Sequence, residues 1–306
     1  VKIKIPDQLK AEVPLTKWGK VLNATPVVMT VIATMLAGLS SSEMTGAQYQ
    51  RSLATQQQSK AGDQWGFYQA KRLRGAMQSG TLDLLANTGD LQAVDAAALQ
   101  TAIGPLAGNP DAEAAIRDLL AGQLPPAAAP AAPDPKVQAA LEASESALAD
   151  SGAASVLAGV TDAAVAAELR AARNRAQAFD ETVSPVTRTI EQIATVLDAH
   201  RSDHPPLNRD FTALRLHYAI RRYEAEARLN QAIANLYELQ VRKSNLAAER
   251  HLIRSQRFFY GMLAAQAGVV IATFAVAARK RNFLWSVAAA AGVAAVSFAA
   301  YVYVFL

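Results

Sequence analysis

Cysteine is absent from this chain of 306 residues. That excludes disulfides, thiolate metal sites and lipid attachment through Cys. Charge is missing where it would matter most. The runs Asn23–Leu39, Phe258–Ala278 and Phe283–Leu306 contain no Asp, Glu, Lys, Arg or His. Ionisable groups inside a membrane segment mark ion and proton routes, so their absence argues against an ion-coupled transporter. The sequence also lacks a Walker-type loop, a GxGxxG turn, an HExxH pair and a G-x-S-x-G elbow. No enzyme activity, cofactor or metal site is therefore expected. Proline and glycine are missing from Leu207 until Gly261, which leaves that stretch free to form one long helix.

What is present is hydrophobic. Apolar residues make up 51% of the chain and the mean hydropathy is +0.09. A bilayer core needs about 20 apolar helical residues, with a range of roughly 17–25, and the three uncharged runs meet that requirement. Backbone entering lipid must satisfy its own hydrogen bonds, so these runs are predicted to be helices. The fold class expected is an all-α membrane protein with transmembrane helices at 23–39, 258–278 and 283–306. The first is expected to be a retained anchor, although its lysine-rich flank and Ser40–Ser42 would also suit a signal peptide. The net charge is only +4. Its basic residues cluster beside the apolar runs, which suits a lipid bilayer as partner and not nucleic acid.

Orientation follows from Lys and Arg in short loops. The loop between the second and third spans is Arg279, Lys280, Arg281 and Asn282, which places it in the cytoplasm. The lysines of segment 1–22 (Lys2, Lys4, Lys10, Lys17 and Lys20) agree. Arg250, Arg254 and Arg257 disagree, because they precede the second span on the side assigned to the exterior. Charges on long translocated segments influence topology weakly, so the short loop decides. The expected location is a bacterial inner membrane, with a cytoplasmic N-terminus and a periplasmic insert and C-terminus. Trp18 and Trp285 would lie near the inner face, Tyr301 and Tyr303 near the outer.

The insert has three parts. Residues 40–79 read as a helix continuing out of the membrane. Residues 80–206 are Ala-rich pieces with breakers. Three of these pieces carry a capping residue before Pro (Asn109-Pro110, Asp134-Pro135 and Ser184-Pro185), a helix-start pattern. Gln123–Pro135 should be extended and exposed. With few large side chains, this middle part is expected to be loosely packed and dispensable for membrane insertion. Residues 207–257 show a coiled-coil-like seam: Ala225, Ala232, Leu239, Leu246 and Ile253, with Leu229 and Leu236 between. Around fifty helical residues would rise about 75 Å. The outgoing and returning helices are expected to form an antiparallel extramembrane hairpin, with the Ala/Pro-rich insert at its far end.

Asp63-Gln64-Trp65-Gly66-Phe67-Tyr68-Gln69-Ala70-Lys71 resembles the D-x-W-x-(F/Y)-Y-Q-A-K signature of an uncharacterised bacterial membrane family, domain of unknown function 4337. The basic helix, the second span and Arg279–Trp285 are also similar to that family. The resemblance covers residues 17–79 and 205–306. The long Ala/Pro-rich middle departs from the shorter polar hairpin typical of the family. The resemblance implies no activity, cofactor or catalytic residue.

Within the signature, Trp65, Tyr68 and Arg72 share a helical face, whereas Phe67 lies about 200° from Trp65. Trp65 and Tyr68 are therefore expected to close the hairpin, and Phe67, with Lys71 beside it, to meet a neighbouring subunit or partner. His200 and His204 stand four apart near Asp198 and Asp203, but Pro205 and Pro206 follow, so a polar turn is expected and not a metal site. Small residues four apart (Ala33/Ala37, Ala264/Gly268/Ala272, Ala288/Gly292) would allow close helix contact, and Gln266, Thr30 and Thr34 would bond between helices. The function expected is a structural or interaction protein, a homo-oligomer or a subunit of a larger membrane complex. An oligomeric pore with hydrophobic gating is the alternative. The orientation is testable. With Ala128→Cys and Asn282→Cys in intact cells, an impermeant thiol reagent should label the first and spare the second; the reverse pattern would invert the topology.

Overall fold

A computed structural model describes residues 17–106, 108–125, 133–145, 150–277 and 281–305. The described residues are 90% helical, without strands. The helices are α1 (Lys17–Asn87), α2 (Ala96–Ala102), α3 (Pro110–Leu120), α4 (Pro135–Glu145), α5 (Asp150–Ala158), α6 (Asp162–Ala199), α7 (Pro205–Ala277) and α8 (Arg281–Phe305). Three of them, α1, α7 and α8, contain stretches long and apolar enough to cross a membrane. The chain divides into two compact units: Val1–Leu53 with Ser244–Leu306, and Ala54–Lys243. Lys2, Lys4, Lys10, Arg279, Lys280 and most of the Pro/Ala tract, 126–132, lie outside the described residues. Arg281 opens α8.

In the first unit three helices meet through small residues. Ala33, Ala265, Ala272, Ala288 and Ala295 are buried, with Leu36 and Phe258 filling the spaces between. A Cβ added at Gly268 would come within 2.5 Å of Met29 Cε, and one at Gly292 within 2.7 Å of the same atom. Met29 of α1 thus occupies a notch made by one glycine of α7 and one of α8. Gly261 is as close-fitting: a Cβ there would lie 3.1 Å from the Ala295 carbonyl oxygen. Ala264/Gly268/Ala272 and Ala288/Gly292 therefore mark real helix packing. Without a hydrophobic drive in lipid, such close contact is what holds helices together.

Polar bonds tie the ends of this unit. Trp285 Nε1 donates to Thr25 Oγ1 at 3.1 Å. Toward the other end, Ser40 and Ser255 donate to each other's carbonyls at 3.0 and 2.8 Å. His251 Nδ1 lies 2.6 Å from Glu43 Oε2. Thr30 and Thr34 instead bond the carbonyls of Pro26 and Thr30 on their own helix, contrary to the expectation that they bond between helices.

The second unit has a well-filled core, which corrects the expectation of a loose cap. Leu99, Ile103, Ile116 and Leu119 of the α2–α3 region pack with Ile190, Ile193 and Leu197 of α6 and Phe211 and Tyr218 of α7. Leu99 and Ile193 are fully buried. Burial also pushes the Tyr218 phenol above its ordinary pKa. Each large side chain so buried contributes about 1.5–3 kcal/mol, so residues 90–200 are an integral part of this unit.

Two of the three capped starts are as read: Asn109 and Asp134 accept from Asp111 and Lys136 backbone N–H groups. The third is not a start. Pro185 lies inside α6, whose buried stripe (Val165, Leu169, Ala172, Phe179, Val183, Ile190, Ile193 and Leu197) continues on both sides of it. Burial of that stripe outweighs the roughly 3 kcal/mol that an interior proline costs.

The predicted seam on α7 holds in part: Leu236 and Leu239 are buried, but its row does not run on through Ala232. Ala232 is exposed, whereas Ala227 and Ala234 are buried. These two continue the seven-residue row of Ala213 and Ile220, which pack with Leu82 and Leu85 of α1. That contact explains why α1 runs on to Asn87 and does not end at Ser79. On α1 the matching row is Ala54, Ala61, Tyr68, Gly75 and Leu82. Within the unit the partners run in opposite directions: Trp65 with Glu238, Lys71 with Glu226, and the Gln92 amide with Asp210. Ile193→Ala should cost about 2–5 kcal/mol, measured as a lower midpoint for loss of helical signal in denaturant. A loose cap would show no such shift.

Candidate interaction site

The aromatic signature sits in the second half of α1, on a stretch of helix with two chemically different sides. Trp65 and Tyr68, three residues apart, project together, their rings T-shaped with centroids 5.4 Å apart. The indole Nε1 of Trp65 donates to Glu238 Oε1 of α7 at 2.7 Å. One turn further on, Lys71 pairs with Glu226 of α7 and lies over the Tyr223 ring, 5.7 Å from its centroid. The Arg222 guanidinium also faces that ring at 4.6 Å, and its Nε is 3.5 Å from Glu226 Oε1. A Cβ built at Gly75 would lie 3.6 Å from Tyr223 Cβ, so the helices are close there. Aromatic faces, two cations and one carboxylate thus make a charge-assisted lock between α1 and α7 in the second unit.

Trp65 thus reaches the returning helix through Glu238, and Tyr68 packs on Trp65 in the same row as Ala61 and Gly75. Lys71 is one turn beyond Phe67, but its ammonium turns away from that ring. It lies three residues beyond Tyr68, on the inner side, where Glu226 holds it. Arg72 is exposed, although the small cleft it lines with Lys71, Gly75 and Glu224 is only about 200 Å³. Phe67 remains 54% exposed.

Sequence reasoning passed over the companions of Phe67. Leu73, Met77 and Leu84 are 63%, 63% and 68% exposed. Together with Gly66, Ala70 and Gly80 they repeat at alternating steps of four and three, on the side of α1 opposite Tyr68, Gly75 and Leu82. The spacing was visible, but an Ala/Gly-containing row does not stand out in an Ala-rich chain.

Gln266 is a second residue placed differently from expectation. It sits in the apolar stretch of α7 on the exposed side, among Phe259, Leu263 and Val270, and it makes no hydrogen bond among the described residues. The histidines do not converge. His200 Nδ1 is 3.1 Å from the Val196 carbonyl, His204 and His217 are exposed, and His251 faces Glu43.

Residues 22–115 match the family model of Domain of unknown function (DUF4337). The DUF4337 match contains the first span, the aromatic signature and the outer row on α1, and it extends into α3. The second and third spans and the basic loop, which the resemblance also drew on, lie beyond the matched residues. No curated protein and no solved structure matches the chain.

The lock predicts a specific energetic coupling. Trp65→Phe removes the indole donor and leaves Glu238 unpaired, which should destabilise the protein by about 1.5–3 kcal/mol. Glu238→Ala should cost less in the Trp65→Phe background than alone. Additive losses in a double-mutant cycle, followed by denaturant unfolding in detergent, would show that the bond is not formed.

Proposed function

We propose that this protein is a non-enzymatic, membrane-anchored interaction protein whose copies assemble through the outer side of α1. In this reading the chain sits in a bacterial inner membrane with its N-terminus in the cytoplasm. The insert and C-terminus are periplasmic. Beyond the bilayer, α1 and α7 form an antiparallel helical hairpin, and α2–α6 are its packed helical insert.

The observation that carries the reading is the exposed row of Leu73, Met77 and Leu84, with Phe67 at its margin. A helix with one buried face normally turns a polar face to water. Here α1 buries Ala54, Ala61 and Leu82 on one side and carries large apolar side chains on the other. Alternating steps of three and four are the spacing of a helix–helix seam. Copies inserted in the same direction present this row the same number of residues beyond the first span, so it can pair in parallel with itself. Gln266 supports the same conclusion. An amide facing lipid is costly, and bonding to a second copy would satisfy it. The interaction residues are then Phe67, Leu73, Met77 and Leu84 outside the bilayer, while Trp65, Tyr68 and Lys71 brace the helix that presents them.

Burial of each apolar side chain is worth about 1.5–3 kcal/mol, so a single polar replacement should weaken association by about 10- to 100-fold. Met77→Glu and Phe67→Ser should each shift the full-length protein toward monomer in mild detergent while leaving the helical signal intact. A wild-type protein that is monomeric at every concentration would overturn self-assembly. Unchanged assembly in both variants would remove this face from it.

A further inference from the structure

Arg250, Arg254 and Arg257 opposed the assigned orientation in the sequence and take no part in the proposed assembly face. They stand at steps of four and three on α7, directly before the apolar stretch. Arg257, the nearest of them to that stretch, is half-buried and points across to α8, its guanidinium 5.7 Å from the centroid of the Tyr301 ring. Glu43, the carboxylate that α1 offers in this region, is engaged by His251. Beneath the guanidinium runs an open groove of about 500 Å³ between α7 and α8, lined by Arg257, Ala294, Ser297, Phe298 and Tyr301. Its walls are apolar apart from the Ser297 hydroxyl and the tyrosine ring.

We infer that this groove binds an anionic phospholipid, its phosphate held by Arg257 and one acyl chain laid along Ala294 and Phe298. The inference rests on α7 and α8 lying in a bilayer; it does not depend on assembly through α1. Three features fit a lipid in particular. The cation sits where the apolar stretch begins, which is headgroup depth. Aromatic rings gather at the same level: Phe258 against Tyr303 at 6.0 Å, Tyr260 against Phe298 at 6.2 Å, and Tyr301 against Phe305 at 5.2 Å. Such rings belong at the membrane–water interface. The groove below the cation is apolar and open, so in a bilayer an acyl chain could occupy it while still touching neighbouring lipids. Arginine binds phosphate through a planar set of donors, and the exposed Arg250 further up α7 adds only long-range attraction. Arg257, one of the three, thus acquires a role that does not conflict with the topology set by the short loop.

The test uses the full-length protein, first reconstituted into nanodiscs to establish that it enters a bilayer. It is then presented in mild detergent with equimolar phosphatidylglycerol and phosphatidylcholine, and bound lipid is counted by native mass spectrometry. Wild type should retain phosphatidylglycerol over phosphatidylcholine by about fivefold, the effect of one basic residue at the membrane surface. Arg257→Gln should abolish that preference, whereas Arg250→Gln should largely preserve it. Ala294→Phe, which leaves every charge in place and fills the groove, should lose the bound lipid. Equal retention of the two lipids by wild type would overturn the inference. So would a preference that survives Arg257→Gln or Ala294→Phe. Displacement by soluble glycerol 1-phosphate would show a phosphate site without an acyl chain, and would also overturn it. Failure to enter nanodiscs would instead count against the membrane reading itself.

Discussion

The architecture depends on one side of α1 carrying mostly small side chains, with Tyr68 and Leu82 as the exceptions toward its far end. Ala33, Ser40, Ala47, Ala54, Ala61 and Gly75 share a seven-residue row, and the alanines among them are buried to 7% exposure or less. Small residues let another helix approach closely and bring many backbone atoms into van der Waals contact. They also leave a weakness. An alanine row looks nearly the same after a shift of one heptad, so by itself it does not fix which residue meets which. Distinct polar contacts supply that information. In the first unit they are the reciprocal Ser40–Ser255 bonds and Glu43 with His251. In the second they are Trp65 with Glu238 and Lys71 with Glu226. Half-exposed ion pairs add little net stability, but a register shift would strand each of these groups, so they specify pairing more than they strengthen it.

The same property decides what the sequence revealed. Membrane spans are imposed by a local requirement, an uncharged run of sufficient length, and they could be read directly. The α7 seam could be read only in part. A search for large aliphatic residues settles on Leu239 and Leu246 and carries the register through Ala232, which is exposed. A second buried row passes through Ala227 and Ala234, in line with Ala213 and Ile220, which meet Leu82 and Leu85 of α1. In an Ala-rich chain every heptad frame contains alanines, and the pattern loses its contrast.

The core of the second unit was hidden for a different reason. Leu99 and Ile116 look isolated in their own short helices. Their partners, Ile190, Ile193 and Phe211, are many residues away, and no local window contains both halves. Pro185 added to the error. The pair Ser184-Pro185 has the chemistry of a helix start, yet the apolar stripe of α6 continues past it. Tertiary burial overrode a local rule, as it commonly does for propensity-scale effects. For the aromatic signature the local reading did better. Angular spacing alone separated Phe67 from Trp65. The four-residue step from Phe67 to Lys71 did not reveal that Glu226 and the Tyr223 ring on α7 draw the ammonium inward.

Two departures from solvent logic remain after the fold is accounted for, and they have opposite signs. On α1, Leu73, Met77 and Leu84 are apolar side chains on a face that the insert leaves open. On α7, Gln266 is a polar side chain within an apolar stretch. Neither arises from a packing need of the monomer, since neither touches its core. Each would be a cost for a chain acting alone: apolar area left in water in one case, an unbonded amide left in lipid in the other. In the proposed assembly, copies of the chain would relieve each cost with the groups already present, leucine and methionine packing on their equivalents at one site and amide bonding to amide at the other. No single soluble ligand does so, because the two sites require different chemistry in different solvents. On the proposed reading, association of like chains would therefore account for both features, whereas a small partner docked at either site would account for only one.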